Sequence, residues 1–146
     1  MISRELAVQL APYLSWTPRN SDQFFIPTPE ISESVFTVSD MVVEAVTRDG
    51  QSRFHFNGTT EWALDSVDST EVVWLPREEQ LREMLGDYFL SLDFASGAFV
   101  VTVSGPSRAY HTPPEPEAAD AYARALLYVL NDGVLQPDPH TMSAAR

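Results

Sequence analysis

The dipeptide Asp49-Gly50 lies between two β-rich runs, MVVEAV and SRFHF, and it constrains the fold more than any other feature of the sequence. Both residues tolerate the positive φ angles that a two-residue type I′ turn requires. The pair therefore predicts an antiparallel hairpin. Two more strand-like runs, QFFIP and VFTVS, precede it, and Pro27 and Pro29 interrupt the pattern between them.

Four segments have apolar residues at helical spacing. They cover residues 3–11, 59–68, 76–89 and 115–131. Ser3 and Pro76 are typical of helix starts, and Gly133 lies just past the end of the last segment. Gly86 either ends the third helix or lies inside it, because the apolar pattern allows both.

A second hairpin is expected before the last helix. Leu92 and Phe94 precede the turn 95–97, and Phe99 and Val101 follow it with the same period of two. The alternation in SRFHFN and AFVVTVS is typical of an antiparallel sheet with one buried face. The sequence therefore predicts an α+β fold in the order α-β-β-β-β-α-α-β-β-α, with helices packed mainly on one face of an antiparallel sheet.

Length and composition favour one folded domain. A chain of 146 residues with 44% hydrophobic residues can bury a core without disulfides, and this chain has no cysteine. We expect a single domain over residues 1–133 and a flexible C-terminal tail over 134–146.

The charge balance restricts the partners. The chain has 21 acidic and 9 basic residues, all of the basic ones arginine, for a net charge of −12. Such a surface repels phosphate backbones and anionic lipids, so we expect neither a nucleic-acid nor a membrane partner. A basic or amphipathic protein partner fits better. Arg4 and Glu5 interrupt the apolar positions near the N-terminus, which favours a cytoplasmic protein over a secreted one.

The stretch NGTTEWALDSV, residues 57–67, most resembles a chemical site, because Trp62 stands among Glu61, Asp65 and the nearby Asp68. At about 100° per residue, the carboxylates occupy one side of a helix and the apolar residues the other. A solvated helix face explains this pattern, and it makes Trp62 a core residue.

Two alternatives give the stretch a function. Glu61, Asp65 and His55 would form a metal-assisted hydrolytic site if the SRFHF strand leads directly into the helix. Trp62 and Trp74 would line an aromatic pocket for a small ligand. Against the first alternative, His55 lies between two phenylalanines on a strand, so its side chain is expected to face solvent beside that of Arg53.

The common catalytic motifs are missing from the sequence. It contains no GxxxxGK[ST] loop, no GxGxxG, no HExxH and no GxSxG, and REEQLREMLG lacks the second glutamate pair of a Nudix box. We therefore expect no cofactor and no metal, and a non-enzymatic function more readily than an enzymatic one.

Two quoted stretches carry a family resemblance. FNGTTEWALDSV (56–67) and VWLPREEQLREMLG (73–86) resemble a small family of high-GC Gram-positive bacteria that is labelled for pilus assembly, and the resemblance extends over residues 2–130. The motifs of that family have no assigned chemistry. The chain lacks the phosphate-binding loop that a pilus-assembly ATPase needs.

In size, acidity and element order, the chain is also similar to the secretion chaperones of type III systems. This similarity implies a protein without an enzymatic site that binds a segment of a partner chain, often as a homodimer. The sequence therefore predicts a chaperone-like or adaptor module, with the sheet edge near Phe24 and Phe25 or an exposed part of the last helix as the partner-binding surface.

Overall fold

The computed structural model describes residues 1–39, 43–56 and 66–131, apart from the side chains of Phe56 and Ser66. The helices and strands within these ranges are, in chain order, α1 Arg4–Leu10, β1 Gln23–Phe25, β2 Phe36–Thr37, β3 Val43–Arg48, β4 Gln51–Phe56, β5 Ser66–Asp68, β6 Val73–Leu75, α2 Glu78–Leu85, β7 Phe89–Ala95, β8 Ala98–Val103, β9 Tyr110–His111 and α3 Ala118–Asn131. Short 3₁₀ turns occupy Ala11–Tyr13, Ser69–Glu71 and Gly86–Tyr88.

The chain forms two compact units. One comprises Met1–Ser15 and Arg77–Arg146, and the other is the continuous segment Trp16–Pro76. We name them the discontinuous unit and the central unit. The expectation of a single domain over residues 1–133 did not include this division. That the two units form one domain stays a prediction.

The first hairpin of the central unit is confirmed. Asp49 and Gly50 have φ angles of 53° and 77°, which are the two positive values of a type I′ turn. The turn joins β3 to β4, and β4 pairs on its other side with β5. All three strands are antiparallel.

The second sheet of the central unit has β1 in the middle, between β2 and β6. Its inner face and that of the first sheet supply one core cluster. Phe24 and Phe54 are fully buried at its centre, with ring centroids 4.4 Å apart. Each of the two sheets thus contributes at least one phenylalanine to a shared interior.

The discontinuous unit combines the third sheet with the three α-helices of the described residues. In this sheet β8 lies between β7 and β9, and the hairpin turn is Ser96-Gly97 with φ angles of 54° and 77°. The helix α3 packs against α1, α2 and β8. The apolar side of α3, which includes Leu126 and Val129, is buried in this packing.

Helix ends follow the predicted signals at Ser3 and Pro12. Pro76 does not hold the first helical position, because α2 begins at Glu78 after the N-cap residue Arg77. The hydroxyl of Ser3 accepts a hydrogen bond from the backbone amide of Leu6 at 3.3 Å, as an N-cap does. The helix α1 ends at Leu10, two residues before Pro12. Gly86 ends α2 with φ 55° and ψ −132°, a conformation that suits glycine. The structure thus decides the question that the apolar pattern of this segment left open.

The predicted α+β class and the antiparallel strands are confirmed, with two corrections. The strands of the described ranges form three three-stranded sheets instead of one. The end of the segment predicted as a helix over 59–68 is the strand β5, because Ser66–Asp68 pair with β4. No helix within residues 1–39, 43–56 and 66–131 is long and apolar enough to cross a membrane.

Candidate functional site

A polar groove lies on the outer face of the sheet formed by β3, β4 and β5. Its volume is about 610 Å³, a size common for small-molecule sites. Seven of the described residues line it, and we call them together the polar groove: Glu44, Val46, Arg48, Gln51, Arg53, His55 and Asp68.

The alternation of side chains along each strand produces this groove. On β4, Ser52 and Phe54 are buried, whereas Arg53 and His55 are exposed on the opposite face. On β3, the residues at even positions share the outer face. The same sheet therefore buries an aromatic core on one side and presents charged groups on the other.

The turn at Asp49-Gly50 fixes which groove residues lie opposite each other. Across β3 and β4, the facing pairs in the groove are Glu44 with His55, Val46 with Arg53 and Arg48 with Gln51. On the far side of β4, Arg53 faces Asp68 of β5. The groove thus has three rows, with an acid at one end and an arginine at the other.

An ion pair holds the middle row. The guanidinium Nη1 of Arg53 donates to Oδ1 of Asp68 at 2.5 Å. Because the Arg53 side chain is half exposed, this pair contributes little to stability, yet it orients the guanidinium.

The side chains of Glu44, Arg48, Gln51 and His55 have no hydrogen-bond partner within the described parts of the chain. These four groups therefore offer two charges, an imidazole and an amide to a ligand.

Two groups outside the groove have shifted pKa values. A hydrogen bond from Arg77 lowers the pKa of the Glu79 carboxyl in the first turn of α2. Burial raises the pKa of the Tyr122 hydroxyl on α3. Both side chains belong to the helices of the discontinuous unit, and both shifts have a structural cause.

The structure confirms the predicted position of one site residue, contradicts that of another and does not describe those within the stretch 57–67. The solvent-facing position of His55 beside Arg53 is confirmed, since both residues are exposed on the outer face of β4. Glu61, Trp62 and Asp65 lie outside the described residues. Asp68 lies on the strand β5, where it binds Arg53, and the prediction that it shares a helix face is wrong.

The predicted edge position of Phe24 and Phe25 is also wrong. Both residues are buried, and their strand β1 is the middle strand of its sheet. Hydrogen bonds to β2 and β6 occupy both of its sides, so β1 has no free edge for an added strand. These phenylalanines serve the core.

Trp74 belongs to an aromatic cluster on the inner side of the central unit. Its ring is stacked on that of Trp16, with 5.6 Å between the centroids and 5° between the planes. The ring of Trp16 also contacts Phe24 and Phe54. The indole Nε1 of Trp74 is buried and has no hydrogen-bond partner among the residues described. The proposed pocket between Trp62 and Trp74 stays a prediction, since one of its walls lies outside the described residues.

An aromatic pair with one exposed member lies at the tip of the second hairpin. Phe94 on β7 is 64% exposed, and its ring centroid is 4.7 Å from that of Phe99 on β8. Leu90 on the same strand is 54% exposed. Large apolar groups that stay this exposed are candidates for contact with another molecule. We call Phe94 and Phe99 the aromatic tip.

Of the residues that line the polar groove, the sequence pointed to two as site candidates, His55 and Asp68. A usable signal was present, because a two-residue turn at 49–50 pairs each residue with the one at an equal distance beyond the turn. That rule places Glu44 opposite His55 and Arg48 opposite Gln51. No comparable signal places Asp68 beside Arg53, because the segment that ends at Asp68 has helical periodicity.

Searches for a related protein give no further guidance. Neither the models of protein families, nor the curated proteins, nor the solved structures contain a match to this chain. The resemblance to the pilus-labelled family and to secretion chaperones therefore stays a proposal that rests on the stretches and the element order given above.

Proposed function

We propose that this protein is a non-enzymatic binding module that takes a small polar ligand in the polar groove. The observation that carries this proposal is the convergence of Arg48, Gln51, His55 and Glu44 on one sheet face, without partners among the described residues. Small-ligand sites combine a concave surface with a few well-placed polar groups. A surface made only for solvation needs no such convergence.

The chemistry of the groove supports binding more than catalysis. Glu44 and Asp68 lie on the two outer strands and are offset by two residues along them, so they are about 12 Å apart at the usual strand spacing and rise. Within the described ranges, no group of three or more histidine, aspartate or glutamate side chains could hold a metal ion. The groups present suit recognition by charge and hydrogen bonds.

The test is a search for a ligand with the purified protein. We expect at least one compound of a metabolite library to raise the unfolding temperature and to appear as a stable adduct in native mass spectrometry. A ligand present at 100 times its Kd stabilises the folded state by about 2.7 kcal/mol. Arg48→Gln should remove the effect, because Arg48 is the groove's cation without a partner among the described residues.

Arg108→Gln is the matched control for that substitution. Arg108 is exposed and belongs to the discontinuous unit, so its variant loses the same charge away from the groove. Its ligand response should equal that of the unaltered protein. A library without any binder, or a binder that both variants retain, would contradict the proposal.

A second candidate function is the binding of another protein, as in an adaptor or a secretion chaperone. The observation that favours it is the aromatic tip, which takes the place of the predicted edge at Phe24 and Phe25. A protein with a net charge of −12 attracts basic segments at long range, and apolar groups then supply close contact. A basic or amphipathic partner fits this surface, and homodimer formation through it is the competing outcome. A cytoplasmic location is part of this proposal.

Phe94→Ser separates a binding role of the aromatic tip from a structural one. Because 64% of Phe94 is exposed, we expect the free energy of unfolding to change by no more than about 0.5 kcal/mol. Urea titration followed by circular dichroism at 222 nm measures the change. If the variant keeps its stability and no longer retains proteins that the unaltered chain retains, the aromatic tip binds a partner. A loss of several kcal/mol would instead make Phe94 a core residue.

A further inference from the structure

The two ends of the polar groove differ in charge. Glu44 and His55 form one end, and Arg48 and Gln51 form the other. Glu44 and Arg48 are four residues apart on the strand β3, so they are separated by about 13 Å at the usual rise per residue. A ligand that contacts both would need opposite charges at its two ends.

The middle of the groove is close to neutral. The positive charge of Arg53 is balanced by Asp68, which accepts its hydrogen bond. Val46 lies opposite Arg53 on β3 and is half-buried, so it offers an apolar contact between the two charged ends. A ligand with a short uncharged middle part matches this surface.

We propose that the polar groove binds a short extended peptide, with its terminal carboxylate on Arg48 and Gln51 and its terminal ammonium on Glu44. This inference rests on the proposed function of the same groove. A guanidinium and an amide are both donors that suit a carboxylate, and a carboxylate side chain suits an ammonium group. The orientation follows from which end of β3 carries which charge.

The span between the charges sets the length of the peptide. An extended chain covers at most about 3.3–3.6 Å per residue, so three residues cover about 10 Å. The separation of about 13 Å along the strand exceeds this length by about one hydrogen-bond distance of 3 Å, so a tripeptide can reach both charged ends. A single amino acid is too short to contact both ends at once.

The test measures the affinity of trialanine and of its blocked forms by isothermal titration calorimetry and by saturation-transfer NMR. We expect free trialanine to bind, and N-acetyl-trialanine and trialanine amide each to bind at least about tenfold more weakly, because each has lost one charged contact. A pool of tripeptides of mixed sequence is measured beside trialanine. Free alanine should show no more than the affinity of the weaker blocked form.

The variants assign each end of the ligand. Arg48→Gln should weaken free trialanine about tenfold and should not weaken the amide further, because the amide has already lost that contact. Glu44→Gln should weaken free trialanine about tenfold and should not weaken N-acetyl-trialanine further, because the acetylated peptide has already lost that contact. Arg108→Gln should change none of these affinities. Circular dichroism spectra that match the unaltered protein show that the variants are folded.

The outcomes distinguish the two proposals. Equal binding of the free and blocked peptides, or no binding of trialanine and of the pool, would overturn the peptide assignment. If the metabolite library then yields another ligand whose binding needs Arg48, the proposed function of the groove stands although the peptide assignment fails. Binding of inorganic phosphate alone, lost in Arg48→Gln, would make the arginine end an anion site and would also overturn the peptide assignment. If neither peptides nor library compounds bind, both proposals fail.

Discussion

Phe24→Ala is expected to lower the free energy of unfolding of the central unit by about 3–5 kcal/mol, the usual cost of truncating a buried phenylalanine. Phe24 is 0% exposed, and its ring lies 4.4 Å from that of Phe54 and 5.4 Å from that of Phe36. The alanine variant loses these contacts and leaves a cavity between the two sheets.

The chain supplies its own probe for this measurement. The three tryptophans of the sequence, at positions 16, 62 and 74, all belong to the central unit. Urea titration followed by tryptophan fluorescence therefore reports the unfolding of the unit that carries the substitution. Phe24→Leu is the control, because it keeps most of the apolar volume and should cost clearly less. A loss below about 1 kcal/mol for the alanine variant would be inconsistent with a central place for Phe24 in the core.

Asp22→Ala is expected to cost about 2–4 kcal/mol. The side chain of Asp22 is buried, with 3% exposure of the residue. Its Oδ2 accepts hydrogen bonds from the indole Nε1 of Trp16 at 3.0 Å and from the backbone amide of Arg19 at 3.1 Å. Hydrogen bonds to a charged group contribute about 1.5–3 kcal/mol each, and the substitution leaves both donors without their acceptor.

Asp22→Asn serves as the comparison for that result, because its amide oxygen can still accept both hydrogen bonds but no longer carries the negative charge that strengthens them. The stability of this variant should fall between those of the unaltered chain and the alanine variant. Tryptophan fluorescence provides a second readout, since Trp16 loses its hydrogen bond in the alanine variant and its emission should shift. Full stability of Asp22→Ala would mean that these two hydrogen bonds do not hold Trp16 in the aromatic cluster.

Part of the polar groove follows from local sequence alone. The turn at Asp49-Gly50 fixes the register of β3 on β4, and the period of two then places His55 and Arg53 on the face opposite Phe54. The two arginines and the histidine of the groove could have been assigned to one surface on this basis. The sequence pattern does not distinguish a charged sheet face that binds a ligand from one that only contacts solvent, because most exposed strand faces carry charged residues.

Other parts of the groove depend on contacts that are distant in sequence. Asp68 binds Arg53, fifteen residues before it, although the segment that ends at Asp68 has the apolar spacing of a helix. The pairing of Ser66–Asp68 with β4 overrides that local preference. A segment with either helix or strand propensity can pair with the free edge of a strand, since the hydrogen bonds of the sheet outweigh a weak helical preference.

The sequence by itself determined the features that depend on a few neighbouring residues: both tight hairpins, the cap at Ser3, the end of α1 before Pro12 and the α+β class. Only the tertiary structure decided that β1 lies between β2 and β6, which buries Phe24 and Phe25 instead of leaving them at an edge. The physical reason is the separation in sequence between the residues that must be in contact. A turn or a cap is stabilised within about four residues, whereas the neighbours of a strand depend on which distant segments bury their apolar faces together.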